Sequence, residues 1–318
     1  MKKENKNFDI IAIGGATRDI MFYSGEGELI KTGNLTKQKL LAFEYGAKIL
    51  ADKLFFSFGG GAANAAVEFA NLGLKAAIVC RVGEDDNGKL ILKNFVERHV
   101  ATDFVKMDKK SATGFSVILT ADNIAKEHVA FLHRGANENL SALDLPFAGA
   151  KAKWLYISSL PKAGWEGVML SAEKSGAKIA WNPGSRQLSE IIKLKKYLPK
   201  TEILIMNRDE AEEFRKLKDI KGLLKHIWGL GPKIAVITDG EKGAYAFDGK
   251  KYYFMKAKAT KPADTVGVGD AFGSAFTSAI FYGKNIRQAL EWGIKNSAST
   301  IAKVGAQNGL LNLRQISR

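Results

Sequence analysis

Short apolar runs alternate along the chain with segments whose apolar positions recur every three or four residues. Residues 8–13 form the first run, which leads directly into Gly14 and Gly15. Comparable runs lie at 76–82, 154–158, 178–182, 203–206 and 234–238. Their length and their Val, Ile and Ala content predict buried strands. Helical spacing marks a segment that opens at the glycines 59–61 and runs to about Leu72, then 90–97, 164–174, 189–197, 209–217 and 221–228. Two more helices are predicted near 271–281 and 286–303. Gly73 stands where a C-terminal glycine would stop the first helix, and 83–88 reads as a turn. Residues 115–120 and 128–132 read as a strand pair, and 245–247 with 252–254 flank Asp248-Gly249, a type I′ hairpin signal. Residues 28–57 read as an insertion with weak strand and helix signals. Strands that alternate with helices need crossovers, so the pattern predicts an α/β fold with a mostly parallel sheet covered on both faces. In such sheets ligands sit beyond the carboxyl ends of strands. Gly14-Gly15 and Asp239-Gly240 fall at those ends, which predicts one site assembled from several loops.

Composition narrows the class. The chain has 318 residues, 46% hydrophobic and 25% charged, as an ordinary globular protein has. Its single cysteine, Cys80, lies inside an apolar run, so it reads as a buried strand residue and no internal disulfide is available. No apolar run approaches the roughly 20 residues that span a membrane. The basic N-terminus leads into a short strand rather than a leader, so the expected location is cytoplasmic, with no membrane partner. The net charge of +15 is compatible with nucleic acid or with a basic surface around anionic substrates. The lysines are spread over the whole chain with no block and no aromatic-basic pattern, so a nucleic-acid partner is not expected. His99, His128, His133 and His226 lack metal-ligand spacing.

The segment richest in chemistry is Asp264-Thr265-Val266-Gly267-Val268-Gly269-Asp270-Ala271-Phe272. Its glycines let the backbone approach a ligand, and it runs straight into a helix. First-turn N–H groups and the helix dipole would cradle an anion there. Asp270, at the mouth of that cradle, could take a proton from a substrate hydroxyl, or it could simply cap the helix. There is no Gly-x-x-x-x-Gly-Lys-Ser/Thr motif, and Gly267-x-Gly269-x-x-Phe272 lacks the third glycine of a dinucleotide fingerprint.

The same segment resembles the C-terminal signature of the ribokinase-like (PfkB) carbohydrate kinases. Gly59-Gly60-Gly61-Ala62-Ala63-Asn64-Ala65-Ala66, followed by Gly73 and Gly83, is similar to their N-terminal signature. The resemblance runs from the first strand to Gly305-Ala306-Gln307 and implies a ribokinase-like three-layer sandwich. It implies that Asp270 is the base and that the N–H groups of Gly267, Val268 and Gly269 form an anion hole. Asp19 and Asn64 would bind substrate hydroxyls, with the backbone of Gly60 and Gly61 against the substrate. Asn207 and Glu210 resemble the motif that orders Mg²⁺ and phosphates, with Glu210 acting indirectly on the metal. Thr238, Gly240 and Gly243 resemble the nucleotide-phosphate loop, and Asn296 would lie beside the adenine. Asp264 and Val266, opposite the Gly305 segment, match the site where family members often bind a monovalent cation such as K⁺. Each position also has a plain reading: Asp19 a turn cap, Asn64 a helix-start residue, Asn207 and Glu210 a capping box, Asn296 a packing residue. Val268 departs from the family, which usually has Ala or Gly there; its N–H remains available if the backbone is ordinary.

The implied activity is transfer of the γ-phosphate of ATP to a hydroxyl of a small sugar. The whole chain, 1–318, reads as one kinase domain, with insertions at about 20–57 and 110–133 forming a small β-lid that often pairs between subunits in the family. A nucleoside substrate is the alternative and would need an apolar or aromatic slot for a base, with Phe22, Phe43, Phe115 and Phe131 as candidates. Arg134 is a candidate contact for an acidic sugar or a solvated residue. A non-catalytic protein that binds anions or nucleic acid is the third reading, and the intact Gly-Val-Gly-Asp segment argues against it.

Overall fold

The computed structural model describes residues 6–31, 39–121 and 128–318. In chain order these contain strands β1 (Lys6–Ile13), β2 (Thr17–Ser24), β3 (Glu28–Lys31), β4 (Lys39–Ala42) and β5 (Lys53–Gly59), then helix α1 (Gly61–Asn71), β6 (Ala76–Gly83) and α2 (Asp86–Glu97). Strands β7 (Ala101–Asp108), β8 (Gly114–Ala121), β9 (His128–His133) and β10 (Ala150–Ile157) follow. Next come α3 (Trp165–Lys174), β11 (Lys178–Trp181), the short helices α4 (Ser185–Leu188) and α5 (Ile191–Leu194), β12 (Ile203–Asn207), α6 (Arg208–Phe214) and α7 (Ile220–Trp228). The chain closes with β13 (Ile234–Thr238), β14 (Ala244–Phe247), β15 (Tyr252–Met255), α8 (Val268–Phe281), α9 (Ile286–Ile301) and α10 (Leu313–Ile316).

Nine of the described strands form one sheet in the order β15-β14-β13-β12-β11-β10-β1-β6-β7. From β13 to β7 every neighbouring pair is parallel. Strand β14 runs antiparallel to both β13 and β15. Alternate residues of the parallel strands feed two separate cores. Ile10, Ala12, Ile78, Tyr156 and Ile205 join α1, α8 and α9 on one face. Ile11, Ile13, Val79, Leu155, Ile157 and Met206 join α3 and α7 on the other. Both faces are therefore covered, and the molecule is the expected three-layer α/β sandwich. Leu155 and Ile157 are fully buried, and each side chain contributes about 1.5–3 kcal/mol by leaving water. Cys80 is fully buried in β6, where the apolar surroundings push its thiol up to about 12.

A second sheet, β5-β2-β8-β9, pairs β2 and β8 in parallel at its centre with antiparallel edges. One face carries Asp19, Met21 and Tyr23 of β2, all buried. These residues, with Ser116 and Ile118 of β8, look inward. The opposite face carries Ile20, Phe22, Phe56, Val117 and Phe131, which the register places side by side.

The structure corrects the sequence-based expectations in four places. Strand β7 was not predicted, because an edge strand with one wet face carries a mixed pattern. Helix α2 begins within the expected turn 83–88, since the Asp85 side chain accepts from Gly88 N and caps it. The helix expected over 189–197 is instead the short α4 and α5, separated by Glu190 at φ −107° and ψ 45°. The hairpin between β14 and β15 has Phe247 opposite Tyr252, which leaves four loop residues rather than a two-residue type I′ turn. In that loop Asp248 Oδ1 accepts from the N–H groups of Lys250 and Lys251. The insertion expected over 28–57 contains β3, β4 and β5; its residues 32–38, and residues 122–127 of the expected lid, lie outside the described residues.

Candidate active site

The Gly267 loop ends where α8 begins, so Val268, Gly269 and Asp270 occupy the first turn. Their N–H groups have no intrahelical acceptor and remain available to an anion. Gly267 has φ +73°, and a methyl group there would lie 2.3 Å from Ala306 Cβ. Only glycine meets both conditions. Val268 is helical, so its β-branched side chain leaves the backbone ordinary at this departure from the family pattern. Gly267 is the N-cap residue of α8, and among the described residues the Asp270 carboxylate accepts from Asn64 rather than from a backbone N–H of this turn. The bond runs from Asn64 Nδ2 to Asp270 Oδ2 at 2.8 Å and joins the two signatures across 206 positions of sequence. Burial pushes the Asp270 carboxyl above its ordinary value, and the Asn64 donor opposes that shift.

Asn64 stands in the first turn of α1, which starts at Gly60 and Gly61. Gly60 has φ +92°, and a side chain on it would strike Gly15 O at 2.4 Å. A methyl carbon at Gly61 would sit 3.2 Å from Asp270 Oδ1. That oxygen therefore faces the glycine backbone, where a bound substrate hydroxyl can reach it. Asp19 enters from β2. Its Oδ1 accepts from Thr17 Oγ1 at 2.9 Å and from Ser116 Oγ. Burial raises the Asp19 carboxyl; the Ser116 and Thr17 hydroxyls and Arg18 oppose this, and the Asp264 charge adds to it. Asp19, Gly60, Gly61, Asn64, Gly267 and Asp270 all line one cavity of about 420 Å³. It lies between the small sheet and the carboxyl end of β1.

The remaining expected residues lie elsewhere. Asn207 and Thr238 are direct partners at the ends of β12 and β13. Asn207 Oδ1 accepts from Glu210 N at 2.8 Å, and Glu210 Oε2 accepts from Asn207 N at 2.9 Å. The capping box is therefore present and occupies one Glu210 oxygen. Burial raises the Glu210 carboxyl; the Asn207 N–H opposes this, and the charges of Glu213, Asp209 and Asp270 add to it. Gly240 and Gly243 flank a single turn after β13. Arg208, which sequence reasoning passed over, donates to Asp239 Oδ2 at 2.8 Å and to Glu212 Oε1 at 2.9 Å, pinning this turn to the start of α6. Nothing in the local pattern separates it from other surface arginines.

Asn296 does not reach this group. It is fully buried, donating to Ala271 O at 2.9 Å and accepting from Leu311 N at 2.9 Å. Both ends of its amide are used as a strut between α8 and the C-terminal segment. Asp264 is also buried. Its oxygens accept from Val266 N at 3.0 Å and Gly305 N at 2.8 Å, joining the two segments expected to flank a cation. No lysine or arginine pairs with it among the described residues.

The far wall of the cavity carries Arg134, His133 and Glu138. Arg186 Nη1 donates to both Glu138 oxygens at 2.6 Å, while Arg134 Nε lies 3.7 Å from Oε1 of the same carboxylate. Two guanidinium groups thus share one carboxylate. Of the four aromatic candidates only Phe115 reaches the cavity. Phe22 and Phe131 sit on the outer face of the small sheet, because side chains alternate along a strand.

The family pattern described as pfkB family carbohydrate kinase matches residues 27–313. An ATP-dependent 6-phosphofructokinase from Thermoanaerobacterium thermosaccharolyticum is 26% identical over 302 residues, covering 90% of this chain and 92% of its own. A ribokinase from Mus musculus is 30% identical over 274 residues, covering 82% of each chain. The solved nucleoside kinase of Methanocaldococcus jannaschii, an archaeal member of the ribokinase family, superposes with a TM-score of 0.79 at 19% identity, covering 98% of both chains.

Proposed function

Because this chain belongs to the pfkB family of carbohydrate kinases, we propose that it transfers the γ-phosphoryl group of ATP to a hydroxyl of a small sugar, with Asp270 as the base. The observation that carries this reading is the single cavity in which Asp19, Asn64 and Asp270 converge. Asp19 and Asn64 orient the sugar. Asp270 Oδ1 takes the hydroxyl proton as the sugar oxygen attacks the γ-phosphorus, the bond to the β–γ bridging oxygen breaks, and ADP leaves. The first-turn N–H groups of α8 stabilise the charge that spreads over the phosphoryl oxygens. Glu210 keeps one oxygen outside its cap and, with Asn207, would act indirectly on Mg²⁺ that arrives with the nucleotide phosphates, where the ion would neutralise charge on the transferred group. Buried Asp264, which ties two backbone segments and pairs with no lysine or arginine among the described residues, fits a monovalent cation such as K⁺.

Arg134 and Arg186 against Glu138 leave the distal wall with excess positive charge, which favours a sugar bearing a carboxylate or phosphate. Phe115 alone of the four aromatic candidates lines the cavity, which gives a nucleoside base less aromatic surface than the four together would and supports the sugar reading. The test is an ADP-release screen over neutral sugars, sugar acids, sugar phosphates and nucleosides, with and without K⁺. Anionic sugars should turn over fastest. Nucleosides outpacing every sugar would overturn the substrate reading.

In this reading the chain is one kinase domain and the small sheet is its lid. Met21, Tyr23 and Ile118 pack on Val266 and Val304, and His128 Nδ1 lies 3.1 Å from Thr265 Oγ1. These contacts close the cavity over the base loop and would exclude water during transfer. The lid's outer face exposes Phe56 by 58% and Phe131 by 60%, an apolar surface suited to a second copy of the chain. Sedimentation should report a dimer that Phe56→Lys converts to monomer; a wild-type monomer at micromolar concentration would refute this pairing.

A further inference from the structure

Resting on the assignment of Asp270 as base, we propose that Gln307 and Asn94 are positioning residues that set the orientation of Asn64 and, through it, hold Asp270 for proton abstraction. Neither residue lines the cavity. Gln307 lies in the segment after α9, and Asn94 lies near the end of α2. Asn94 Nδ2 donates to Gln307 Oε1 at 3.0 Å, and Gln307 Nε2 donates to Asn64 Oδ1 at 3.1 Å. Asn64 Nδ2 then donates to Asp270 Oδ2 at 2.8 Å. All three amides are buried, with relative exposures of 6% for Asn94, 4% for Gln307 and 3% for Asn64.

Chemistry dictates the direction of this relay. An ionised carboxylate only accepts hydrogen bonds, so Asn64 must turn its amide nitrogen to Asp270. Its carbonyl then faces Gln307, which must present a nitrogen in turn. The Gln307 carbonyl is left facing Asn94, which must donate. A flip at any one position would set acceptor against acceptor in a buried place. Three segments far apart in sequence are thereby tied to the base, and Asp270 Oδ2 is held while Oδ1 stays available to substrate.

Loss of the relay frees Asn64 to rotate and weakens the donor that favours the ionised form of Asp270. The ionisable groups that sense Asp270 are Glu210 from α6 and Tyr156 from β10. Asp19 also titrates in the cavity, bonded to Thr17 and Ser116; changes at positions 94 and 307 remove no hydrogen bond of Glu210, Tyr156 or Asp19, so a displaced acid limb of kcat reports the relay itself.

The experiment measures kcat, both KM values, the pH profile of kcat and the melting temperature for Asn94→Ala, Gln307→Met, their combination and Asp270→Asn. Gln307→Met should lower kcat about 10-fold, as outer partners of site residues commonly do, with both KM values within about twofold of wild type. Its acid limb should move to higher pH, and Asn94→Ala should show the same changes more weakly. The double variant should match Gln307→Met, because without the Gln307 amide Asn94 has nothing to hold. An acid limb unmoved in both single variants, or losses that multiply in the double variant, would overturn the proposal. If Gln307→Met does not fold, Asn94→Ala decides alone by the same acid limb, since alanine is well tolerated in a helix. Asp270→Asn separates the two levels. Retained turnover there removes the base assignment and the relay with it, whereas an inactive Asp270→Asn beside unmoved relay variants removes the relay only.

Discussion

Asp270→Asn tests the base assignment against the simpler view of a helix-start carboxylate. The replacement has nearly the same shape. Its side-chain oxygen can keep the 2.8 Å bond from Asn64 Nδ2, so its NH₂ falls where Oδ1 now faces Gly61. The group then donates where a base must accept. General-base catalysis contributes about 10²–10⁴-fold, so kcat should fall by that factor, or about 2.7–5.5 kcal/mol on the barrier. KM for ATP should stay within about threefold of wild type. Stability should move the other way. Burial raises the Asp270 carboxyl, so the folded state holds its proton to higher pH than the unfolded chain does. The group's contribution to stability is greatest at acid pH and is lost as pH rises through the raised value. At pH 7.5 the buried charge works against folding, and asparagine removes it. The loss of a favourable charge-dipole contact, about 0.3–1 kcal/mol, opposes this gain. The melting temperature should therefore equal or exceed that of wild type. Turnover and thermal melts on the same preparation check both. Near-normal turnover would refute the base assignment, and a melting temperature several degrees lower would refute the burial argument, because asparagine caps a helix about as well as aspartate and no cap loss could account for it.

The pH profile of kcat/KM should have an acid limb above the ordinary carboxylate range of about 4. Burial raises both Asp19 and Asp270, and activity is lost as each takes a proton; a limb at or below pH 4 in a coupled assay contradicts this. Arg208→Ala should raise KM for ATP several-fold with little change in kcat, because it unpins the turn after β13 from α6; an unchanged KM for ATP argues against a nucleotide site there. Gly293→Ala should lower stability by about 1–3 kcal/mol through overpacking, since the added methyl would lie 2.6 Å from the Phe272 ring. A melting temperature equal to wild type would show that α8 and α9 separate without cost.

Local periodicity and punctuation carry much of this molecule. Strand β13 is readable to the residue, because a fully buried strand is a continuous apolar run bounded by turn residues. The two glycine signatures were legible in part because some of their glycines stand where a side chain would collide, as at Gly60 against Gly15 and Gly267 against Ala306. They pointed to Asp270 before any coordinates. Edge strand β7 was not legible, since one wet face blurs its pattern. Phe22 and Phe131 looked like candidates for a base-binding slot until strand register turned them outward. Asn296 could be read from sequence either as a residue beside the adenine or as a packing residue, and its buried amide bonds Ala271 O and Leu311 N. Gln307 and Asn94 had no local signal, because their partners lie outside the repeating window of any helix or strand; Arg208 has a local i,i+4 partner in Glu212, but its link to Asp239 is long-range. Periodicity along the chain was enough for the α/β class and for most strands and helices, and the glycine signatures singled out Asp270 as the candidate base. Which side chains face the cavity, and which buried amides lie behind Asp270, emerged with the folded chain, because register and long-range pairing depend on contacts between segments far apart in sequence.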